Sequence, residues 1–271
     1  MRILLLMGLP EDLAGHIPES VRRSVPRRYD VVGDIAVLSL PWELREYGPE
    51  IAGVIIRKRR YIRTVLNKTA MVRGNKRVAS FDTLAGPTTV TTHREYGISY
   101  RLDISRVFFN PSLASEHNRI ARQVATGETV LVPFAGIGPF VIPLAKKRSF
   151  VVAVENNPDA VRWLLENIRL NGAGNYVGVV EGDAFDQARY GDRLYDRAVI
   201  PAPYGMDSII DIVSPVVRNH GMIHVYTFKK DAQIPGLIGL FQGKGLETVR
   251  WRRCGNVAPG VCRFVFDLVK A

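Results

Sequence analysis

The sequence predicts an α/β protein, a doubly wound sheet preceded by a smaller α+β module. Three observations carry this. From about residue 106 onward, β-rich runs alternate with helical runs four times in succession, the pattern of a sheet with helices on both faces. A glycine-rich turn, Phe134-Ala135-Gly136-Ile137-Gly138-Pro139-Phe140, falls between a strand and a helix. The first hundred residues show short β-rich runs broken by turns, with no such alternation. The boundary is expected near residue 105, giving a module over 1–105 and a second domain over 106–271.

Within the first module, residues 28–41 read as two strands around Gly33-Asp34, and residues 88–104 as a hairpin with Glu95–Gly97 near its turn. Trp42–Ile51 and Ile56–Leu66 are expected to be helices. The apolar run Ile3–Leu9 is too short to span a bilayer and is expected to be a buried strand. In the second domain, strands are expected over Thr129–Phe134, Phe150–Val154, Tyr176–Glu181, Arg197–Ile200 and Gly221–Phe228. Helices are expected over Ser115–Ala125, Pro139–Lys147, Ala160–Asn171, Ser208–Arg218 and Ile234–Lys244, followed by two late strands. Pro158 and Asp159 suit the first turn of the helix they precede.

The chain has 271 residues, 46% of them hydrophobic, which suffices for a core without covalent staples. Two cysteines, Cys254 and Cys262, are too few for a disulfide framework and lack metal-ligand spacing. A reducing, cytoplasmic setting, no metal and no membrane association are expected. The net charge of +11 favours a polyanionic partner. Between Ile51 and Ser80 lie Arg57, Lys58, Arg59, Arg60, Arg63, Lys68, Arg73, Lys76 and Arg77, with no acidic residue among them. Either a solvated basic face or a nucleic-acid contact accounts for such a run. Tyr61 and Val54–Ile56 interleave with the charges and argue for a folded surface.

Chemistry is expected at the carboxyl ends of the strands. The turn Phe134, Ala135, Gly136, Ile137, Gly138 lets a ligand approach the backbone and offers free N–H groups. It is not G-x-G-x-x-G, so a pyrophosphate is not indicated. Glu155 ends the next strand and can accept hydrogen bonds from both hydroxyls of a ribose. Asp183 ends the third and can receive an adenine amino group. A glycine loop and two acids on successive strand ends describe an adenosyl pocket, with Asn156 and Ala184 beside the acids and Pro201 after the fourth strand. The competing interpretation is three ordinary turns with capping residues. His93, His117 and His224 are expected to be structural, and Trp163 to lie in the core.

Several segments together resemble one family. They are YDVVGDIAVL, LAG at 84–86, THREYG, LDISRVFFNPSLASE, FAGIGPF, NNPDAV, ENIRLN, GMIHVYTF and APGV, running from about Tyr29 to Asp267. The chain resembles the archaeal and eukaryotic tRNA (guanine-37-N1)-methyltransferases. Their sister family transfers the 3-amino-3-carboxypropyl group in wybutosine synthesis. The resemblance implies a Rossmann-like methyltransferase sheet, S-adenosyl-L-methionine as cofactor and tRNA as partner; a monomer is expected. The methyltransferases often carry a further N-terminal domain, for which this chain is expected to be too short. The resemblance also implies a general base at Glu116, in FNPSLASE, and an arginine supporting the target guanine at Arg77. RNA contacts are expected from the basic run itself, at Arg57, Lys58, Arg59, Arg60, Arg63 and Lys76.

Two positions depart from the family pattern. Val132 stands where an acid usually faces the cofactor. Pro201-Ala202-Pro203, followed by Tyr204, replaces Asn-Leu-Pro, so guanine positioning would fall to the Pro201 carbonyl or to stacking on Tyr204. The tail Ala258-Pro259-Gly260-Val261 is more like the aminocarboxypropyl transferases. The expectations in order are methyl transfer to guanine, aminocarboxypropyl transfer, and a tRNA-binding homologue without catalysis.

Overall fold

The computed structural model describes residues 8–73, 78–258 and 260–271. The expected strand over Ile3–Leu9 lies outside them except for its end, and Leu9 begins a short helix instead. Arg77 and Lys76 also lie outside the described residues.

The chain divides into two compact units, Met1–Arg94 with Arg101–Pro111, and Glu95–Tyr100 with Ser112–Ala271. In the first unit, α1 (Leu9–Asp12) and α2 (Glu19–Arg22) precede β1 (Asp30–Val32) and β2 (Ile35–Leu38). A short 3₁₀ segment over Trp42–Tyr47 leads into α3 (Gly48–Lys58). Then come β3 (Thr64–Arg73) and β4 (Val78–Ala85), forming a four-stranded sheet in the order β1-β2-β3-β4. Ile51, Ala52, Val54 and Ile55 form the buried face of α3 and join Leu38, Leu44 and Val65 in one core. The helix expected over Ile56–Leu66 is corrected here. The helix ends at Lys58, and Thr64-Val65 opens a strand parallel to β2. The β-branched pair suits a pleated surface better than a helix. The strands β5 (Val90–Glu95) and β6 (Ile98–Asp103) form the expected hairpin.

The second unit begins with α4 (Ala114–Ala121), followed by β7 (Thr129–Pro133), α5 (Val141–Ala145), β8 (Phe150–Glu155), α6 (Pro158–Leu170) and β9 (Val177–Glu181). After these come β10 (Tyr195–Ile200), α7 (Ile209–Val213), β11 (Val217–Lys229), α8 (Ile234–Gly243), β12 (Leu246–Ala258) and β13 (Val261–Lys270). The sheet order is β12-β13-β11-β10-β7-β8-β9. The strands from β11 to β9 pair in parallel, and β13 runs antiparallel between β11 and β12. The central strands are continuous apolar runs, as burial on both faces demands. Val132 is fully buried there. Helix α7 is shorter than expected, because Val217 already starts β11.

Helix α6 shows how sequence sets an element. The Asn157 side chain accepts the Asp159 N–H at 3.1 Å, Pro158 occupies the first turn, and Ala160, Val161, Trp163, Leu164 and Ile168 bury one stripe.

The face of the sheet beneath α4 carries a polar ladder. Arg197 on β10 receives His224 on β11 as neighbour, with Nη1 at 2.7 Å from Nε2. Arginine only donates, so Nε2 accepts and Nδ1 holds the proton, which it donates to Asp267 at 2.6 Å. Burial disfavours the imidazolium and lowers the His224 pKa, against the pull of Asp267. For Asp267, burial works to raise the pKa, but the hydrogen bonds from His224 and Arg119 outweigh it and hold the carboxyl at about 2. A carboxyl held below its unfolded value of 3.8 adds stability above that pH and loses it as pH falls toward 2. Asp267→Asn is therefore expected to cost about 2 kcal/mol at neutral pH. The gap from wild type should close between about pH 4 and pH 2 in urea titrations followed by circular dichroism. A gap independent of pH would detach Asp267 from the acid transition.

Candidate active site

The glycine turn sits where β7 ends, and its backbone is fixed from several sides. Ala135 N–H bonds the Val154 carbonyl at 3.0 Å, and Asn167 Nδ2 of α6 donates to the Ile137 carbonyl at 3.2 Å. Tyr100 Oη donates to the Pro139 carbonyl at 3.4 Å. Gly138, at φ +97°, packs so closely on α6 that an added Cβ would stand 2.7 Å from Leu164 Cδ1. Gly136, at φ +55°, is different: apart from its own chain neighbours, no described heavy atom lies within 4 Å of where its Cβ would be. One glycine serves packing; the other borders open space.

Glu155 lies under this turn at the end of β8. Its carboxylate accepts Gly136 N–H at 2.7 Å and Asn157 N–H at 2.8 Å. Burial raises its pKa, and the backbone N–H groups of Asn157, Gly136 and Asn156 oppose the rise. Each carboxylate oxygen keeps acceptor capacity beyond these bonds, enough for a vicinal diol. At the end of β9, Asp183 is exposed and accepts Phe185 N–H at 3.0 Å, and Ala184 is buried beneath it. The rings of Phe134 and Phe185 meet edge to face with centroids 6.2 Å apart. Gly136, Glu155 and these rings fit a nucleoside: a diol acceptor, an approachable backbone and apolar walls. Asn156 is exposed beside Glu155.

Glu116 lies on α4 and is 1% exposed. Its Oε2 accepts Arg119 Nε–H and Tyr226 Oη–H, each at 2.9 Å. Its Oε1 faces the Arg252 guanidinium. Arg119 also grips Asp267 with both Nη atoms, at 2.7 and 3.1 Å. Burial works against the Arg119 charge, but the bonds to Asp267 more than offset it. The site is linked to the turn through rings: Tyr226 packs on Phe140 at 5.1 Å, and Phe140 on His117 at 4.7 Å. His117 Nδ1 pairs with Glu95 at 2.7 Å. Pro201 follows Ile200, which pairs with Val225, so it stands level with Tyr226. Tyr204 is 65% exposed, its ring 5.8 Å from Phe228.

Arg119, Asp267 and Arg252 escaped sequence reasoning, whereas His224 has the structural place expected of it. Arg119 one helical turn after Glu116 was the only local signal. The basic run also looks different in space. Arg57 pairs with Glu50 at 3.3 Å, and Lys58 and Arg59 each approach Asp12 at 3.7 Å. Arg60 and Arg63 are exposed, with no ion pair among the described residues. No group of three or more metal-ligating side chains occurs among the described residues, and no described helix is long and apolar enough to cross a membrane. Both cysteines are free thiols, and burial pushes that of Cys254 up to about 11.

A glycine turn, an acid on the next strand and a seven-stranded sheet with one antiparallel strand define the class of Rossmann-like transferases that bind an adenosyl cofactor. Residues 91–237 match the model of the TRM5/TYW2 methyltransferase domain, and residues 9–89 match that of the TYW2 N-terminal domain. The chain belongs to the TRM5/TYW2 family. It is 35% identical over 214 residues to tRNA (guanine(37)-N(1))-methyltransferase Trm5b of Pyrococcus abyssi, covering 79% of this chain and 63% of that relative. It is 29% identical over 266 residues to the tRNA(Phe) (4-demethylwyosine(37)-C(7)) aminocarboxypropyltransferase of Pyrococcus horikoshii, covering 95% of this chain and 94% of the relative. Among solved structures, the complex of aTrm5 with tRNALeu superposes with a TM-score of 0.87 at 28% identity, covering 97% of this chain and 78% of that one.

Glu155→Ala is expected to weaken binding of S-adenosylmethionine by ~1.5–3 kcal/mol, the scale of hydrogen bonds to a charged group. Calorimetry on the folded variant measures it, and an unchanged affinity would place the pocket elsewhere.

Proposed function

We propose that this chain is an S-adenosylmethionine-dependent tRNA methyltransferase that modifies N1 of guanine at position 37, beside the anticodon. The observation that carries this reading is Glu116. It is a buried carboxylate that accepts from Arg119 and Tyr226, and rings connect it to the glycine turn. When bound, the cofactor supplies an electrophilic methyl carbon on a sulfonium. The chain's residues have the remaining work. Gly136, Glu155 and Asp183 hold the adenosyl moiety, with Phe134, Ala135, Ile137, Gly138, Asn156, Ala184 and Pro201 around it. Glu116 takes the N1 proton as the ring nitrogen becomes nucleophilic. Tyr204, or the Pro201 carbonyl, positions the base, and Arg77 supports it.

The first unit serves as the RNA-binding module. Arg60 and Arg63 are its strongest phosphate contacts, because among the described residues their charges are not shared with carboxylates as those of Arg57, Lys58 and Arg59 are. Lys76 completes the set. The enzyme acts as a cytoplasmic monomer.

One observation favours a second reading, aminocarboxypropyl transfer to a wybutosine precursor. Residues 9–89 match the N-terminal domain model named for TYW2. The two reactions share the cofactor and differ in which carbon of the sulfonium is attacked.

Incubation with cofactor and unmodified tRNA, followed by nucleoside mass spectrometry, distinguishes methyl from aminocarboxypropyl addition. Methylguanosine is the expected product. In single-turnover assays Glu116→Gln should slow the chemical step by roughly 10²–10⁴ while cofactor and tRNA affinities stay near wild type. A wild-type rate in that variant would remove Glu116 as the base. Binding of both ligands without any modified nucleoside would make the chain a tRNA-binding homologue.

A further inference from the structure

Glu116 has two oxygens in different situations. Oε2 is saturated by Arg119 and Tyr226, both on packed elements of the core. Oε1 is buried, accepts no hydrogen bond from any described group and has the Arg252 guanidinium against it. Oε1 is thus the oxygen open to a substrate proton, and Arg252 is the group in its way.

Arg252 is the partner able to move. It comes from β12, the edge strand of the sheet, and its side chain is 36% exposed. Its placement follows from register. Tyr226 pairs with Val265, and Val265 with Arg252, so Tyr226 and Arg252 stand level on the same face of three adjacent strands. A second observation points to a ligand. Arg252 Nε is buried and donates to no described group. An unmatched buried N–H is costly, and a carbonyl oxygen delivered by a ligand would satisfy it.

A carboxylate oxygen beside a guanidinium matches one chemical edge: a ring N–H next to a carbonyl. Guanine and hypoxanthine present this edge at N1–H beside the exocyclic oxygen, and among pyrimidines uracil presents it at N3–H. Adenine presents the reverse pattern, an acceptor beside an amino group. We propose that Arg252 caps Glu116 in the free protein and, on entry of the target base, transfers its guanidinium to the base's exocyclic oxygen. The inference rests on the methyl-transfer reading above. The N1–H proton passes to Glu116 Oε1, and the ring nitrogen's electron pair forms the new N–C bond. The C–S bond breaks with its electrons going to sulfur, while negative charge developing on the exocyclic oxygen meets Arg252.

The test is single-turnover methylation across pH, using transcripts with guanosine, inosine or adenosine at the target position. Wild type should modify guanosine and inosine and leave adenosine untouched. Arg252→Ala should lower the plateau rate about 10²-fold, the scale of losing one donor to a developing oxyanion. Removing a cation beside Glu116 should also move the acid limb up by about 1 pH unit or more. Arg252→Lys should restore the acid limb, because the charge returns. It should leave the plateau depressed, because a single ammonium cannot replace the fork. Cofactor affinity by calorimetry should match wild type throughout. If the Ala variant does not fold, Arg252→Gln serves in its place. A plateau within threefold of wild type, with an unmoved acid limb, overturns the proposal and leaves the methyl-transfer reading standing. A wild-type protein that forms no product overturns both.

Discussion

One guanidinium organises this molecule's functional face. Arg119 donates through Nε to Glu116, one turn earlier on α4, and through both Nη atoms to Asp267, 148 residues later on β13. Removing an ion from water costs several kcal/mol even after the protein relaxes, so buried charge persists only where every charge is matched. Here the matching is continuous. Asp267 accepts from His224, His224 accepts from Arg197, and Arg197 is paired with Glu128 at 2.8 Å. The ladder crosses β10, β11 and β13 and ends on the loop entering β7. The helix carrying the proposed base is thereby bolted to the sheet by charge as well as by packing. Its carboxylate is thereby held in one orientation.

This dependence gives the C-terminal hairpin a role that its position at the sheet edge conceals. Strand β13 lies between β11 and β12, so Asp267 and Arg252 reach the same face as Tyr226. One side of Glu116 is fixed by core residues and the other by a half-exposed arginine. That asymmetry suits a base that must stay charged until the substrate arrives and then be uncovered. The adenosyl end is built on a different principle. It relies on backbone: Gly136 left open, Gly138 pressed against α6, and a carboxylate that already holds two N–H groups of the turn.

How legible was this in the sequence? The second unit was readable because its central strands are unbroken apolar runs and its helices carry the 3.6-residue stripe, as in α6. The glycine turn and Glu155 followed from spacing alone. The first unit was harder. The segment after Lys58 mixes cations with β-branched residues, a composition that supports no clear period, and only pairing with β2 decides for a strand. Glu116 was reachable through resemblance, since a carboxylate in a first helical turn is otherwise ordinary. Asp267 and Arg252 were out of reach, and for His224 a structural role was legible but its partners were not. Their partners are far away in sequence, and the bulges in β12 hide from periodicity which of its residues share a face. The run of cations likewise hid that three of them are shared with Asp12 and Glu50.

The proposed proton removal by Glu116 requires that the target base displace Arg252 and bring its ring N–H to Oε1. A crystal structure with a non-reactive cofactor analogue and an anticodon stem-loop examines this directly. The expected result is the base nitrogen at ~3 Å from Glu116 Oε1, with the exocyclic oxygen on Arg252 and Oε2 still held by Arg119 and Tyr226. A base bound elsewhere, with Arg252 still closed over Glu116, would contradict it.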